Sequence, residues 1–164
     1  NEKNFDRLAA LTNNLNRMGI TNTAITLMDG RNIKYNFHKI LLDAPCTSSG
    51  TIRGLTSNSE FLARSWNKKR IRSTSRLQKN LILNAYNILN KKGILVYSVC
   101  SLEPEETEEV IGFLLDNTDA KIEKPDIEIK SNVNSSNMEI RKCIKLWPQF
   151  YDTEGFFIAK IRKP

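Results

Sequence analysis

The chain has 164 residues, a length for which we expect about one domain with a sizeable core, and its 40% hydrophobic and 26% charged residues exclude a collagen-like, mucin-like or disordered acidic protein. No run approaches the roughly 18 apolar residues of a membrane-spanning helix, and no signal peptide is visible. The three cysteines are widely spaced, and with one histidine they form neither a disulfide framework nor a convincing zinc site. We therefore expect a cytoplasmic protein with free thiols, no metal and no membrane partner, and its formal charge of +7 is a weak indication of nucleic-acid binding.

The first predicted elements are a helix over residues 2–18 and two strands. Apolar side chains at helical spacing form one face of the helix: Leu8, Leu11, Leu15 and Met18. Gly19 follows as a residue that can adopt the left-handed backbone of a helix C-cap. The strands are predicted over residues 24–28 and 39–42, and the acids that end them are Asp29 and Asp43.

The middle of the chain is predicted to be irregular and polar over residues 51–72 and helical over about 75–91. Ser75 and Gln78 have the spacing of a capping box, and Gly93 would end the helix. Apolar residues would form its inner face: Leu77, Leu81, Ala85, Ile88 and Leu89.

Two strands and a helix complete the predicted order. The strands cover residues 94–98 and 155–161, and the helix begins near Pro104, with the acids of residues 103–109 on a solvated face. Strands that alternate with helices predict an α/β layer fold with a largely parallel sheet, whose ligands bind beyond the carboxyl ends of the strands. Three polar clusters follow predicted strands and are therefore candidate sites: Asp29, residues 43–46 and residues 98–101.

Basic residues are concentrated between residues 61 and 102, where the chain has no acid at all. Closely spaced like charges repel one another unless an anion neutralises them, which favours nucleic-acid binding; the alternative is a basic loop without a ligand. Trp66 is a candidate for stacking on a base, although packing explains an isolated tryptophan equally well. The candidate phosphate-binding residues, which we name the basic cluster, are Arg64, Lys68, Lys69, Arg70, Arg72 and Arg76.

Cys46 and Cys100 each follow a predicted strand. Pro45 stiffens the chain after Asp43, so that a carboxylate and a thiol would lie close together at the rim of the sheet. Backbone N–H groups and nearby basic side chains would stabilise a thiolate there. A free cysteine is more commonly a small buried residue, but two thiols and a carboxylate at neighbouring strand ends favour chemistry on a nucleic acid.

The sequences around these cysteines resemble the two cysteine motifs of the NOL1/NOP2/Sun RNA cytosine-5 methyltransferases. The motifs are DAPC at residues 43–46, followed by GTIR at 50–53, and YSVCSLEPEE at 97–106. The resemblance continues through nearly the whole chain in the order of the family: RMG at 17–19, KGILVYS at 92–98, LWP at 146–148 and GFFIA at 155–159.

The resemblance implies a Rossmann-like sheet, S-adenosylmethionine as cofactor and RNA as partner. It implies that Cys100 attacks the pyrimidine, that Cys46 assists product release, and that Asp43 serves the cytosine and the cofactor edge of the pocket. The acid matching Asp29 would contact the adenine side of the cofactor. The basic cluster would then bind RNA, and the reaction would methylate carbon 5 of cytosine in tRNA or rRNA.

The sequence departs from the family pattern at three places. Ser48 stands where the family usually has glycine, and Val99 replaces a common threonine. The glycine-rich cofactor loop and the ribose-binding acid would precede Asn1. We therefore expect residues 1–164 to be a single, partial catalytic domain that lacks its N-terminal strands, with an N-terminal segment or a partner chain supplying the rest.

Two other functions are considered. A DNA cytosine-5 methyltransferase would use a cysteine that follows proline, as Cys46 does, and would leave Cys100 without a role. An inactive, methyltransferase-like RNA-binding module or assembly partner is the second alternative. Calorimetry with S-adenosylmethionine and RNA distinguishes it, because such a module would bind RNA without binding cofactor.

Overall fold

A computed structural model describes residues 1–51, 66–129 and 133–164. The chain forms two compact units, Asn1–Tyr35 and Asn36–Pro164. Within these described ranges, no helix combines the length and the apolar character that crossing a lipid bilayer requires.

The first unit contains helix α1, Phe5–Arg17. The side chain of Asn4 caps its start by accepting a hydrogen bond from the backbone N–H of Asp6 at 2.8 Å. Gly19 has φ of +65°, which confirms the left-handed residue predicted after the helix.

The strand predicted over residues 24–28 is wrong. Only an isolated parallel bridge forms there, between Glu2 and Leu27. A strand requires continuous pairing with a neighbour, and this segment pairs only around Glu2, where backbone bonds join Glu2 to Thr26 and Met28 at 3.0 and 3.1 Å. A short 3-10 helix, Gly30–Asn32, follows Asp29.

The second unit is built on a five-stranded sheet. Its strands are β1 (Phe37–Asp43), β2 (Leu89–Val99), β3 (Lys121–Glu123), β4 (Ile144–Leu146) and β5 (Phe156–Arg162). The order is β1-β2-β5-β3, and β4 also pairs with β5. The sheet is mixed rather than largely parallel, because β1 and β2 are parallel whereas β5 runs antiparallel to β2, β3 and β4.

Helix α2, Lys68–Asn87, differs from its prediction at both ends. The side chain of Asn67 caps its start, accepting from the N–H of Arg70 at 2.7 Å, so residues 68–72 are helical and the predicted capping box lies inside the helix. The expected end at Gly93 is also wrong, because the chain passes into β2 at Leu89 and Gly93 lies within that strand.

The remaining helices are α3 (Glu108–Asn117), which a 3-10 turn at Pro104–Glu106 precedes, and the short α4 (Pro148–Tyr151). The core joins the central strands to α2 and α3. Fully buried side chains carry it: Ile82, Leu95, Tyr97, Val110, Ile111, Leu114, Phe157 and Ile161. In the sheet, β2 lies between β1 and β5. The strand that leads to Cys100 is therefore hydrogen-bonded to a neighbour along each of its two edges.

Candidate active site

The parallel pairing of β1 with β2 brings the two cysteine segments together. Asp43 is in register with Ser98, so both strands end at the same edge of the sheet. Beyond the strands, the N–H of Ala44 donates to the carbonyl of Ser98 at 3.1 Å, and the N–H of Gly50 donates to the carbonyl of Cys100 at 3.0 Å. The segments after Asp43 and Ser98 are therefore fixed to each other by backbone hydrogen bonds.

The sulfur atoms of Cys46 and Cys100 lie 3.1 Å apart. Both residues are half-buried, and both are free thiols. Burial, followed by the contact with Cys100, raises the pKa of the Cys46 thiol to about 12. Cys46 therefore keeps its proton at neutral pH and can donate it in a hydrogen bond to the sulfur of Cys100.

Ser48 has φ of +59°, a left-handed backbone that favours glycine. This residue stands where glycine is expected from the resemblance, so the structure keeps the conformation although the residue type differs. The Ser48 hydroxyl oxygen lies 3.5 Å from the sulfur of Cys100 and 3.8 Å from that of Cys46. The substitution thus places a polar group beside both thiols.

Glu106 is a site residue that sequence reasoning missed. The sequence predicts a solvated face over residues 103–109, but the Glu106 side chain is fully buried. Its carboxylate accepts hydrogen bonds from the backbone N–H and the hydroxyl of Thr47, and from the hydroxyl of Ser101. The available signal was its position just before α3, whose buried apolar face begins with Val110 and Ile111.

Asp43 is exposed at the carboxyl end of β1. Its carboxylate is therefore open to a ligand at the edge where the cysteines lie. Its catalytic and cofactor-binding roles stay predictions.

Asp29 belongs to the first unit, where it caps the 3-10 helix at Gly30–Asn32. Its carboxylate accepts from the backbone and the guanidinium of Arg31 and pairs with Lys3 at 3.0 Å. The hydrogen bonds from Arg31, followed by that from Lys3, hold the pKa of Asp29 well below its usual range. The carboxylate is thus ionised, as a hydrogen-bond acceptor for a cofactor would be, but it already has two cationic partners.

The basic cluster occupies the first half of α2. Its members there are all exposed: Lys68, Lys69, Arg70, Arg72 and Arg76. The predicted member Arg64 lies outside the described residues. The first turn of α2 holds three of these cations and no acid, although the positive end of a helix dipole disfavours cations. A bound anion would relieve this repulsion.

Two open cavities of about 710 and 520 Å³ border the segment after Cys46. Ser49, Leu102 and Trp147 line both of them. The smaller cavity also contacts Trp66, whose indole N–H donates to Glu103 at 2.8 Å and whose surface is 48% exposed. The segments that follow the two cysteines, at Ser49 and Leu102, therefore border open space on the surface.

Comparisons with a family model, with curated proteins and with solved structures give consistent matches. Residues 1–162 match the family described as 16S rRNA methyltransferase RsmB/F. The tRNA (cytosine(49)-C(5))-methyltransferase of Pyrococcus abyssi is 44% identical over 174 residues, which cover 100% of this chain and 55% of that protein.

Solved structures agree with these sequence matches. A methyltransferase homolog protein from Pyrococcus horikoshii has a TM-score of 0.84 at 36% identity, covering 98% of this chain and 51% of its own. NSun6 from Pyrococcus horikoshii with SFG has a TM-score of 0.82 at 34% identity, covering 98% and 40%. The chain thus spans about half the length of its relatives or less. The matches confirm the resemblance drawn from the cysteine motifs and the α/β methyltransferase fold.

Proposed function

Because the chain belongs to the 16S rRNA methyltransferase RsmB/F family, we propose that it carries the active site of an RNA cytosine-5 methyltransferase that uses a covalent cysteine adduct. The observation that supports this proposal best is the pair of thiols 3.1 Å apart at one edge of the sheet. The tRNA relative is named for the same reaction at carbon 5 of cytosine. We propose tRNA or rRNA as the substrate class.

Cys100 is the proposed nucleophile. Carbon 5 of cytosine is too weakly nucleophilic to accept a methyl group unaided, whereas addition of a thiolate at carbon 6 moves an electron pair onto carbon 5. S-adenosylmethionine, when bound, supplies the methyl group. After methylation, a general base removes the carbon-5 proton. The electron pair of the broken C–H bond re-forms the double bond between carbons 5 and 6, and the Cys100 thiolate leaves. The target base has to be unpaired or flipped to reach the sulfur.

Cys46 is the proposed helper in product release. Its raised pKa of about 12 keeps it a neutral thiol, which serves as a hydrogen-bond donor to the sulfur of Cys100. A donor at this position stabilises negative charge on the Cys100 sulfur as the bond to carbon 6 breaks. This division of roles disfavours the DNA-enzyme chemistry, in which Cys46 would attack.

Asp43 and Asp29 are the residues proposed to serve the cofactor. Asp43 has an exposed carboxylate at the edge that holds the cysteines, where it would serve both the cytosine and the cofactor. Asp29 has an ionised carboxylate for the adenine side. A complex of the related NSun6 contains SFG, an analogue of S-adenosylmethionine, which supports this choice of cofactor.

The basic cluster is proposed to hold RNA phosphates. Lys68, Lys69 and Arg70 lie at the positive end of α2, where an anion reduces their mutual repulsion. Arg72 and Arg76 continue this exposed charge along the helix. Trp66 is proposed to stack on a base beside the smaller cavity.

The proposal is tested with the full-length protein, RNA transcripts and S-adenosylmethionine labelled in its methyl group. We expect label in 5-methylcytosine after digestion of the RNA, and loss of that label in Cys100→Ala. Calorimetry on the same sample measures cofactor binding. RNA binding without cofactor binding or methylation would instead support the inactive RNA-binding module.

A further inference from the structure

We infer that Glu106 is a positioning residue that sets the distance between the two catalytic sulfurs. Its carboxylate accepts from the Thr47 N–H at 3.1 Å and from the Thr47 hydroxyl at 2.6 Å. It also accepts from the hydroxyl of Ser101. Thr47 follows Cys46 directly and Ser101 follows Cys100 directly, so one buried side chain joins the residues next to both thiols.

The position of Glu106 is itself fixed by its surroundings. Its backbone carbonyl accepts from the hydroxyl of Tyr97 at 2.7 Å, which ties the turn at Pro104–Glu106 to β2. On the other side, the Gln78 side-chain amide donates to the carbonyl of Pro45 at 2.8 Å and lies 3.5 Å from the Glu106 carboxylate. Helix α2 therefore holds the segment before Cys46, while Glu106 holds the segment after it.

The burial of the Glu106 side chain strongly favours the observed positions of the two cysteine segments over displaced ones. The Glu106 side chain is fully excluded from solvent, so any hydrogen bond that it loses is not replaced by water. Movement of either cysteine segment would break at least one of these hydrogen bonds. The Glu106 side chain thus restrains both segments at once, through the residues that follow the two cysteines.

This inference rests on the proposed function for its catalytic consequence, but its geometric content can be measured separately. Diamide oxidises two neighbouring thiols: the sulfurs form one S–S bond and release two protons and two electrons, which reduce the diazene to a hydrazine. The rate at which Cys46 and Cys100 form this bond reports how closely the sulfurs are held. Peptide masses after digestion identify the bond and distinguish it from any reaction of Cys143.

The test compares Glu106→Gln with Glu105→Gln, the same change at the preceding residue, in the full-length protein. We expect Glu106→Gln to slow disulfide formation by on the order of tenfold, and to lower kcat for methylation by on the order of a hundredfold while KM for RNA stays within about twofold. Glu105→Gln should match the parent protein in every measurement.

A second pair of variants guards against misfolding. Thr47→Val keeps the shape of the side chain but removes its hydroxyl donor, whereas Thr47→Ser keeps the donor. Thr47→Val should show the slower disulfide rate and lower kcat, and Thr47→Ser should restore both. The inference is overturned if folded Glu106→Gln keeps the parental disulfide rate or kcat, or if Glu106→Gln is unfolded and Thr47→Val behaves as Thr47→Ser does.

The two proposals fail in different ways. If the parent protein methylates no RNA, the proposed function is wrong, and the disulfide rates still decide whether Glu106 positions the sulfurs. If the parent protein methylates RNA and the Glu106 variant does so equally well, only the positioning role is wrong.

Discussion

Gly50 and Gly155 are joined so closely that neither position has room for a side chain. The N–H of Gly155 donates to the carbonyl of Gly50 at 2.8 Å. A Cβ atom added to Gly50 would lie 2.2 Å from the carbonyl oxygen of Gly155. Because the N–H of Gly50 also donates to the carbonyl of Cys100, one glycine connects the two cysteine segments to the turn before β5.

Gly50→Ala should therefore destabilise the protein and displace the segment after Cys46. We expect the free energy of unfolding to fall by about 1–3 kcal/mol, because backbone rather than a flexible side chain has to move. The control is Gly112→Ala in α3, where the nearest atom is 3.8 Å from the added methyl group and alanine favours the helix. Urea titrations should show that this variant gains about 0.5–1 kcal/mol. Equal effects of the two substitutions would contradict the steric argument.

The proposed roles of the two thiols predict different covalent products. Cys46→Ala should still form the bond from Cys100 to carbon 6 but release it slowly, so protein stays attached to RNA. Cys100→Ala and the double variant should form no adduct. The measurement is a denaturing gel of full-length protein with labelled RNA and S-adenosylmethionine. An adduct in Cys100→Ala would instead assign the attack to Cys46.

The raised pKa of Cys46 predicts slow alkylation in the folded chain. Its folded-state pKa of about 12 lies above the ordinary thiol value of about 8.5. The neutral thiol therefore contributes fully to the stability of the fold below about pH 8.5, and this contribution is lost as the pH rises towards 12. At pH 9, iodoacetamide should modify Cys46 roughly several hundredfold more slowly in the folded protein than in urea, because only the thiolate reacts. Peptide mass spectrometry measures the alkylation of Cys46 separately from that of the other cysteines. Equal rates in the two states would show that the thiol is not perturbed.

The elements that the sequence predicted well are those set by local apolar runs. The strands that became β1 and β2 are continuous apolar segments, and the motifs at their ends placed Asp43, Cys46 and Cys100 at one edge. The start of α2 was missed because residues 68–72 offer only Ile71 as a buried apolar residue, so the cap at Asn67 is the main local signal.

Glu106 shows why the rest required the structure. A glutamate within a run of acids has the local pattern of a solvated surface. Its burial depends on donors from Thr47 and Ser101, which become neighbours only when β1 and β2 pair. The positive φ of Ser48 was likewise not visible in its residue type, although the glycine expected from the resemblance at that position indicated it.

Two substitutions of Ser48 separate the effect of its backbone conformation on stability from the effect of its hydroxyl on Cys100. Ser48→Gly should relieve the left-handed strain and raise the free energy of unfolding by about 1 kcal/mol, whereas Ser48→Ala retains the strain. Both remove the hydroxyl that lies 3.5 Å from the sulfur of Cys100. The rate of Cys100 alkylation should therefore change alike in both variants, while thermal melts separate them. Identical melts would exclude a backbone contribution.

The basic cluster predicts a steep dependence of RNA affinity on salt. Replacing Lys68, Lys69, Arg70 and Arg72 with Gln should reduce the slope of log K against log salt by about 0.7 for each phosphate contact that is lost. Lys91→Gln with Lys121→Gln is the control, because both exposed lysines lie towards the amino end of β2, away from Cys100. Filter binding at several salt concentrations gives the slopes. An unchanged slope in the quadruple variant would remove the basic cluster from the interface.

The hydrogen bond between Gly50 and Gly155 also sets an order of assembly. These residues are far apart in sequence, and contacts of large sequence separation form slowly because long loops have to close first. During synthesis, the segments that carry Cys46 and Cys100 leave the ribosome well before β5 and can pair through β1 and β2. The edge that holds both cysteines is complete only when the turn at Gly155 has been made and docks against Gly50. Until then the segment after Cys46 lacks its hydrogen bond to Gly155, so this edge of the sheet reaches its final geometry late in folding.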